Sequence, residues 1–253
     1  MLETKMATQL LYLTDFTLLS CQAQVVEVTA YEDKPAIILD QTVFYPQGGG
    51  QPADQGFIVV ADSAGQKARF RVEMVRFADG LVHHIGVFEE GELAAGAQVK
   101  CEVDAQRRGL NSRNHSAGHV VDMAVHALGL GWIPGKGYHF PEGPYVEYAK
   151  SGDAPLDRVA LREALAKKCN ELIVRDAETR ALFITKEKMA TVCHHVPDYI
   201  PEGKPARVIL FGDFGVPCGG THVARLRDIG QMTIRKIKPS SGGKIKVGYN
   251  VVG

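Results

Sequence analysis

The sequence lacks a long apolar run, a regular spacing of cysteines and an excess of one charge. No apolar run approaches the roughly 20 residues that a membrane-spanning helix needs. The N-terminal stretch carries acidic residues and has no small-residue cleavage site, so it does not resemble a signal peptide. The five cysteines are odd in number and widely spaced, which favours a reducing compartment over a disulfide framework. We therefore expect a cytoplasmic protein without a membrane segment.

Several common catalytic signatures are also missing. The Gly-rich stretch FYPQGGGQPADQG, residues 44–56, is not a P-loop, because no Lys-Ser/Thr follows its glycines. It is not a dinucleotide fingerprint either, because no helical pattern follows it, and the chain offers no Ser-His-Asp motif. The stretch is either a rigid surface turn or a loop lining a pocket, where glycine permits close approach of the backbone. On the second interpretation the candidate substrate-binding residues are Gly48, Gly49, Gly50 and Gln51.

The sequence does contain two short motifs about one hundred residues apart: HSAGH, residues 115–119, and CGGTH, residues 218–222. Each ends in His and has a second potential metal ligand four residues earlier. Positions i and i+4 lie on one face of a helix, and the glycines of the second motif let the backbone bend toward one point. Together the motifs predict a tetrahedral zinc site. Its ligands are His115, His119, Cys218 and His222.

Each motif is weak by itself. An HxxxH pair occurs on ordinary amphipathic helices, and a lone CxxxH can be a buried Cys beside a hydrogen-bonded His. The apolar context of the first motif favours the joint interpretation, in a helix with Asn and Ser as N-cap candidates and Gly129 as its stop signal. The CHH run at 193–195 has poor spacing for one tetrahedral ion, and the adjacent histidines 83–84 of a strand point to opposite faces. We predict no metal site at either.

Total charge is balanced, with 29 basic and 29 acidic residues, so the chain as a whole is not an obvious nucleic-acid binder. Local charge is uneven, since residues 225–246 hold seven Lys or Arg and one Asp. Arg107, Arg108 and Arg113 form a second cluster before the first motif. A solvated surface explains such clusters as well as a polyanion-binding arm does. Their nearness to the ligand motifs favours the arm, with Arg113, Arg235 and Lys236 as candidate substrate contacts.

The chain length allows one large domain or two ordinary ones. Residues 10–105 show short strands separated by turns, among them a hairpin turn at EDKP, residues 32–35. Short strands at hairpin spacing predict a small β-barrel or a compact β-rich domain. The pattern becomes helical near residues 104–108. We therefore predict two domains, 1–105 and 106–253.

The second domain is predicted to be α+β. Beyond the first motif we expect a helix capped by Asp153 with Pro155 in its first turn. TRALFITKEKMA predicts a strand followed by a turn, and RVILFGDFGVP predicts a strand leading into the second motif. Two strands joined at SSGG close the chain. The fold class is thus α+β with an N-terminal β-barrel-like domain.

The two motifs, in this order, resemble the HxxxH…CxxxH signature of the editing domains of alanyl- and threonyl-tRNA synthetases. The stretch DQTVFYPQGGGQPADQG, residues 40–56, is similar to the Gly-rich motif of the alanyl branch. An aminoacylation domain does not fit within 253 residues. The chain therefore resembles the free-standing AlaX family, in its medium-length class, and residues 106–253 are expected to form a synthetase-editing-type domain.

This resemblance implies hydrolysis of the ester of mischarged tRNA(Ala), chiefly Ser-tRNA(Ala) and in some members Gly-tRNA(Ala). It also implies one zinc ion per chain on the four ligands named above. Thr42 matches the family threonine that contacts the seryl hydroxyl. Mischarged tRNA(Ala) is then the expected partner.

Two departures from the family pattern bear on the pocket. Gly118 stands where many relatives have Thr or another polar residue, and GKGYHFPEGPYVEY, residues 135–148, differs from the QKGS-like segment of the synthetases. Two other functions remain open from the residues alone. One is a non-catalytic, zinc-stapled RNA-binding module, and the other is a zinc hydrolase of small esters or amides.

Overall fold

The computed structural model describes residues 7–61, 67–150 and 157–252. The chain divides into two compact units. The first unit comprises the described parts of 1–48 and 52–109, and the second comprises 49–51 and the described parts of 110–253. The tip of the Gly-rich stretch, residues 49–51, thus belongs to the second unit.

The first unit is built from strands whose side chains alternate between a buried and a solvent-facing side. In the sixth strand, KARFRVEMVRFA, the residues Ala68, Phe70, Val72 and Val75 are buried. The strands are β1 Gln9–Leu10, β2 Ser20–Tyr31, β3 Lys34–Leu39, β4 Gln41–Thr42, β5 Gly56–Ala61, β6 Lys67–Ala78, β7 Leu81–Glu90 and β8 Gln98–Val103. Six of them close into a barrel in the order β2-β3-β7-β6-β5-β8, and β1 pairs with β4 in parallel. The predicted N-terminal barrel is therefore present.

The hairpin turn predicted at EDKP is confirmed. Tyr31 of β2 pairs with Lys34 of β3, and the two residues between them, Glu32 and Asp33, both have positive φ angles, 48° and 64°. Two consecutive left-handed residues form the tight turn whose twist matches that of the flanking strands.

A buried ion pair fixes the Gly-rich stretch within the first unit. The guanidinium of Arg108 donates to both carboxylate oxygens of Asp54 and to the carbonyl of Val43, and the carboxylate also accepts from the backbone N–H of Tyr45. Arg107 donates to the Ala53 carbonyl. Arg108 therefore does not belong to the polyanion-binding arm considered above, because its buried side chain holds the backbone of this unit.

The second unit combines helices with two sheets. Its elements are α1 Ala105–Ala127, which begins in the first unit, β9 Ile133–Tyr138, β10 Tyr145–Ala149, α2 Arg158–Val174, β11 Thr179–Ile184, α3 Lys186–Met189, β12 Ala206–Phe211, β13 Phe214–Pro217, β14 Gln231–Pro239 and β15 Lys244–Val252. One sheet has the order β14-β15-β10-β9, and the other has the order β11-β12-β13. The whole is a barrel-containing α+β fold, as predicted.

Helix α1 begins at Ala105, within residues 104–108 where the sequence pattern becomes helical, but before the predicted N-cap residues. The carboxylate of Asp104 accepts from the backbone N–H of Arg107, so Asp104 caps the helix. Asn111 and Ser112, the predicted cap residues, lie inside the helix and are buried. The prediction failed because Asn and Ser favour caps by local hydrogen bonding, while here their side chains face the interior.

Three further predictions needed correction. Asp157, rather than Asp153, caps α2 by accepting from the N–H groups of Val159 and Ala160. Asp153 and Pro155 themselves lie outside the described residues. The segment before the second motif is a hairpin of β12 and β13 rather than one strand, and the turn expected after β11 contains the short helix α3.

Within the described ranges, no helix is long and apolar enough to cross a membrane.

Candidate metal centre

Helix α1 presents the first two predicted ligands. His115 and His119 are one helical turn apart, and their rings stack with centroids 5.1 Å apart. The helix face around them is apolar, since Val120, Val121 and Ala124 are fully buried. The apolar context that the sequence indicated is therefore real, and it directs the imidazoles into the protein interior.

The turn after β13 presents the other two ligands. Arg207 of β12 holds this turn by donating to the carbonyls of Cys218 and Gly220, at 3.0 and 2.7 Å. Gly220 has to be glycine, because a Cβ atom there would lie 2.2 Å from Cε1 of His115. The glycine is therefore needed for space, while its φ is not positive, so the bend predicted for the motif does not require it.

The structure brings the four predicted ligands together. One ligand atom from each of His115, His119, Cys218 and His222 lies within 4.8 Å of all the others. The Cys218 Sγ atom is 3.4 Å from Nε2 of His115 and 3.4 Å from Nε2 of His222. Tetrahedral zinc with ordinary Zn–N and Zn–S bond lengths separates its ligand atoms by about 3.3–3.8 Å. These contacts therefore suit a metal ion.

Hydrogen bonds at the Nδ1 atoms orient two of the imidazoles. His115 Nδ1 is 2.7 Å from Oε1 of Gln51, and His119 Nδ1 is 3.2 Å from Oδ2 of Asp122. Both partners are acceptors, so each Nδ1 carries a proton. The Nδ1 atom of His222 lies 3.2 Å from the Ser116 hydroxyl. Oxygen partners behind the rings are typical of metal-binding histidines, whose other nitrogen then faces the ion.

Three of the four candidate ligands have charge states that fit a cation, while His119 is held in its protonated form, and a metal ion bound there would take the place of its Nε2 proton. Burial lowers the pKa of His115 and of His222 well below the ordinary value, so both rings stay neutral. Burial opposes charge on His119 as well, but Asp122 and Cys218 raise the pKa of His119 to about 10. The Cys218 pKa is lowered: burial favours the thiol, and contact with His119 outweighs it. Cys218 therefore tends toward the thiolate that binds metals.

One atom of the cluster has an unmet bonding requirement. Nε2 of His119 is buried and has no hydrogen-bond partner among the described residues. A buried polar atom without a partner is costly and calls for an explanation. A metal ion within the N₃S donor set provides one.

Gln51 links the Gly-rich stretch to the cluster. Its Oε1 atom accepts from His115 Nδ1 and from the backbone N–H of Thr221, and its Nε2 atom donates to the Thr221 hydroxyl at 2.9 Å. Gln51 is fully buried. Its amide therefore orients His115 of the first motif and holds Thr221 of the second, a role that the sequence analysis did not assign to it.

The two departures from the family pattern occupy one place in the structure. A Cβ atom on Gly118 would lie 2.4 Å from Cε1 of His139, and the His139 ring stacks on His115 at a centroid distance of 4.3 Å. His139 comes from the GKGYHFPEGPYVEY segment. The glycine in the first motif thus leaves the space that this fourth imidazole fills.

The tautomer of His139 follows from its neighbours. Tyr249 donates its hydroxyl proton to the carbonyl of Asn114, at 2.8 Å, so its oxygen accepts from Nδ1 of His139 at 2.7 Å. Burial lowers the pKa of His139 to about 3. His139 is therefore neutral, and its lone pair is on Nε2.

Thr42 belongs to the first unit and is fully buried. Nδ1 of His84 donates to the Ile37 carbonyl, and burial lowers the pKa of His84 to about 4. Nε2 of His84 therefore accepts the hydroxyl proton of Thr42, at 2.8 Å, while Thr42 Oγ1 accepts from the Phe44 N–H. A hydroxyl has two acceptor lone pairs, so one remains on Thr42.

The other candidate substrate contacts lie in different settings. Arg113 is half-buried on α1, Lys236 is exposed on β14, and Arg235 donates to the carbonyls of Tyr249 and Pro144. The glycines 48–50 are engaged through their backbones. The carbonyl of Gly48 accepts from the Tyr45 hydroxyl, and that of Gly50 accepts from the His139 N–H.

Residues of the two segments predicted not to bind metal, 83–84 and 193–195, make other contacts. Cys193 packs in an apolar cluster, and His194 stacks on Phe214 at 4.4 Å. His83 contacts the Tyr31 ring, while its neighbour His84 faces the barrel interior. In the part of the chain that the structure describes, the four-ligand cluster is the one group of such residues placed to hold a metal ion.

Sequence reasoning missed three residues that support the cluster. Asp122 stands three positions after His119, which is a readable signal for a carboxylate behind a ligand on a helix. His139 and Arg207 carry no comparable signal. His139 contacts His115 of α1 and Tyr249 of β15, and Arg207 contacts the turn after β13, and no spacing within a motif reveals such contacts.

Comparison with known proteins relates this chain to tRNA synthetases, and the matched family model ends before the first motif. Residues 4–107 match the family described as tRNA synthetases class II (A). The chain is 36% identical over 198 residues to an alanine–tRNA ligase of Anaeromyxobacter sp. strain Fw109-5, covering 78% of this chain and 21% of the ligase. It is 29% identical over 255 residues to that of Methanobrevibacter smithii, covering 96% of this chain and 27% of the ligase. The chain thus spans about a fifth to a quarter of the length of these relatives.

These matches place the chain among the proteins related to class II tRNA synthetases. Within that class the chain belongs to the AlaX-like relatives of the alanyl-tRNA synthetases, as its two motifs and its Gly-rich stretch indicated.

The contact between Gly118 and His139 makes a testable prediction. Gly118→Ala should destabilise the protein by about 1–3 kcal/mol, because the new methyl group overlaps the His139 ring. The same change in a His139→Ala background should be neutral or stabilising, since Ala is favoured over Gly in a helix by roughly 1 kcal/mol. Urea unfolding of the four proteins measures this coupling.

Gly109→Ala is the matched control, because it lies in the same helix and its Cβ would have no atom within 4 Å. Equal destabilisation by Gly118→Ala in both backgrounds would contradict the proposed overlap.

Gln51 makes a second prediction. Gln51→Ala should weaken zinc binding by about 10–100-fold, because His115 loses the acceptor that holds its Nδ1 proton. Gln51→Glu should lose less zinc affinity than Gln51→Ala, since a carboxylate still accepts a hydrogen bond from His115 Nδ1. Competition with a coloured chelator measures the affinity. Gln55→Ala, which removes a half-buried glutamine bound to the Glu73 carbonyl, is the control and should leave zinc affinity unchanged.

Proposed function

We propose that this chain is a trans-editing hydrolase that deacylates mischarged tRNA(Ala), chiefly Ser-tRNA(Ala) and also Gly-tRNA(Ala), in the cytoplasm. The observation that carries the proposal is the convergence of His115, His119, Cys218 and His222 in a chain related to alanine–tRNA ligases. On this proposal residues 106–253 form an editing-type domain, and one zinc ion is bound per chain.

Zinc is the proposed ion because the donor set combines three imidazoles with one thiolate. A zinc ion bound there would supply positive charge that polarises an ester carbonyl or lowers the pKa of a nearby water. Gln51 and Asp122 keep their histidines in the tautomer whose Nε2 faces the cluster. Arg207 adds a fixed positive charge behind Cys218 and holds the turn that carries it.

His139 is placed to act on a water or on the substrate. Its Nδ1 proton is committed to Tyr249, so Nε2 is a hydrogen-bond acceptor. A neutral acceptor beside the cluster can orient the hydroxyl or ammonium group of an aminoacyl ester, or hold a water by one of its protons. The low pKa keeps His139 in this form throughout the neutral range.

Selectivity for serine requires a hydrogen bond that alanine cannot make. A synthetase pocket rejects an isostere with one added hydroxyl by only about 10²-fold, so a second site that binds the hydroxyl corrects the error. We assign that contact to Thr42. Because its own proton is donated to His84, Thr42 would accept the proton of the seryl hydroxyl on its remaining lone pair.

The proposal is tested by hydrolysis of Ser-tRNA(Ala), with Ala-tRNA(Ala) as the substrate control. Zinc-loaded wild type should release serine selectively. Cys218→Ala should reduce the rate by at least about 100-fold, because the cluster loses its thiolate. Cys169→Ala, which changes a buried cysteine of α2, controls for the loss of a thiol. Wild type that binds zinc and tRNA but releases neither amino acid would support a binding module instead.

Thr42→Val makes a separate prediction about selectivity. The substitution keeps the shape and removes the lone pair, so the ratio of kcat/KM for seryl over alanyl ester should fall by about tenfold or more. Thr8→Val is the control, because Thr8 is another buried threonine of the same unit whose hydroxyl donates to the Leu39 carbonyl. An unchanged ratio in Thr42→Val would remove Thr42 from the recognition of serine.

A further inference from the structure

The sheet β14-β15-β10-β9 has two unlike faces. Ile237, Val247 and Val146 form a cross-strand row that is buried. Side chains alternate along a strand, so the neighbouring positions point to the opposite face. That face carries three lysines and two tyrosines, and we call it the basic–aromatic face. Its residues are Lys236, Lys238, Lys246, Tyr145 and Tyr138.

The strand register leaves a trough in this face. Lys236 pairs with Gly248, Gly248 pairs with Tyr145, and Tyr145 pairs with Tyr138. Gly248 has no side chain, so the row is open between the lysine and the first tyrosine. A cavity of about 380 Å³ lies there, with Glu142 and the lysines at its walls.

The trough has an excess of positive charge. Lys246 lies 3.7 Å from Glu147 and 4.6 Å from the centre of the Tyr145 ring. Across the ranges that the structure describes, Lys236 and Lys238 have no carboxylate partner, and the charge of Lys238 lowers the pKa of Lys236. Two adjacent cations without a counter-ion fit a ligand with a chain of negative charges.

Aromatic rings continue from the trough toward the sheet edge. The rings of Tyr145 and Tyr138 are 5.5 Å apart and 18° from parallel, and those of Tyr138 and Phe140 are 4.6 Å apart and 15° from parallel. All three are partly exposed. Such rings offer flat surfaces on which unpaired bases stack, and proteins that bind single-stranded nucleic acid combine them with a cationic groove.

The end of this series is close to the metal centre. His139 lies between Tyr138 and Phe140 in sequence, and its ring stacks on His115 on the other side of the strand. His139, which contacts the cluster, is thus the direct sequence neighbour of both Tyr138 and Phe140 at the end of the edge strand β9. An RNA strand that lies on the basic–aromatic face and bends around β9 would bring its end near the cluster.

We propose that the basic–aromatic face binds the unpaired 3′ strand of an RNA substrate. The phosphates contact Lys236, Lys238 and Lys246, the bases stack on Tyr145 and Tyr138, and the terminal nucleotide reaches past β9 to the metal centre. The choice of RNA rests on the proposed function. Charge and ring geometry alone specify a flexible polyanion with flat groups.

Binding of a single-stranded RNA of about eight nucleotides, measured by fluorescence anisotropy at several salt concentrations, tests this proposal. Lys236→Ala/Lys238→Ala should weaken binding by about tenfold and reduce the slope of log K against log salt by about 1.4, because two phosphate contacts are lost. Arg162→Ala/Lys167→Ala, which removes two exposed cations of α2, is the matched control and should change neither value.

Tyr145→Ala should weaken binding by about tenfold with the salt slope unchanged, whereas Tyr145→Phe should bind like wild type, since it keeps the ring. Three results would overturn the proposal. The α2 control could lose as much affinity as the lysine variant, or the lysine variant could bind RNA as tightly as wild type. A blunt RNA duplex with the same number of phosphates could also bind more tightly than the single strand.

The assay uses no aminoacyl ester, so its outcome is separate from the hydrolase test. RNA binding lost in the lysine variant supports this face even if wild type releases no serine. If wild type releases serine but these variants bind RNA as tightly as wild type, the proposed hydrolase function stands and the proposed RNA-binding face is rejected.

Discussion

The second unit depends on how three imidazoles are held around one thiolate. An imidazole can direct either nitrogen at a partner, and only a proton fixed on Nδ1 leaves the Nε2 lone pair facing inward. Gln51 and Asp122 provide that constraint for His115 and His119. Because Gln51 also binds Thr221, the same amide joins helix α1 to the turn of the second motif. The ligand geometry is thus built into the hydrogen bonds behind the rings.

Glycine is needed in this centre for space. Gly220 leaves space for the ring of His115, and Gly118 leaves space for the ring of His139. Close packing of interiors leaves no room for an added methyl group at such positions without a shift of the neighbours. At position 118 the pocket is therefore shaped by the His139 ring, which fills the space that a side chain would take.

The sheet β14-β15-β10-β9 connects this interior to the surface. Its buried face carries Tyr249, whose hydroxyl links His139 to the backbone of α1. Its other face presents the lysines and tyrosines for which we propose RNA binding. One strand pairing fixes both, because neighbouring residues of a strand point to opposite faces. In the first unit, the buried pair of Arg108 and Asp54 has a comparable role, since it holds the flank of the Gly-rich stretch.

The sequence by itself indicated the four residues that meet in the candidate metal cluster, and it indicated the strand character of the first unit. Motif spacing, the alternation of side chains and the turn at Glu32 and Asp33 are local properties, and local patterns report them directly. The predicted helix caps were wrong. Asp104 caps α1, because Asn111 and Ser112 are buried inside that helix, and Asp157 caps α2.

Only the tertiary structure decided what surrounds the ligands. The roles of Gln51, His139 and Arg207 arise from contacts between segments 13 to 170 residues apart in the chain. The same holds for Arg108, which composition alone grouped with substrate-binding cations and which is buried against a carboxylate 54 residues away. The physical reason is that hydrogen-bond partners and ring contacts depend on which strands pair, and pairing is a property of the folded chain.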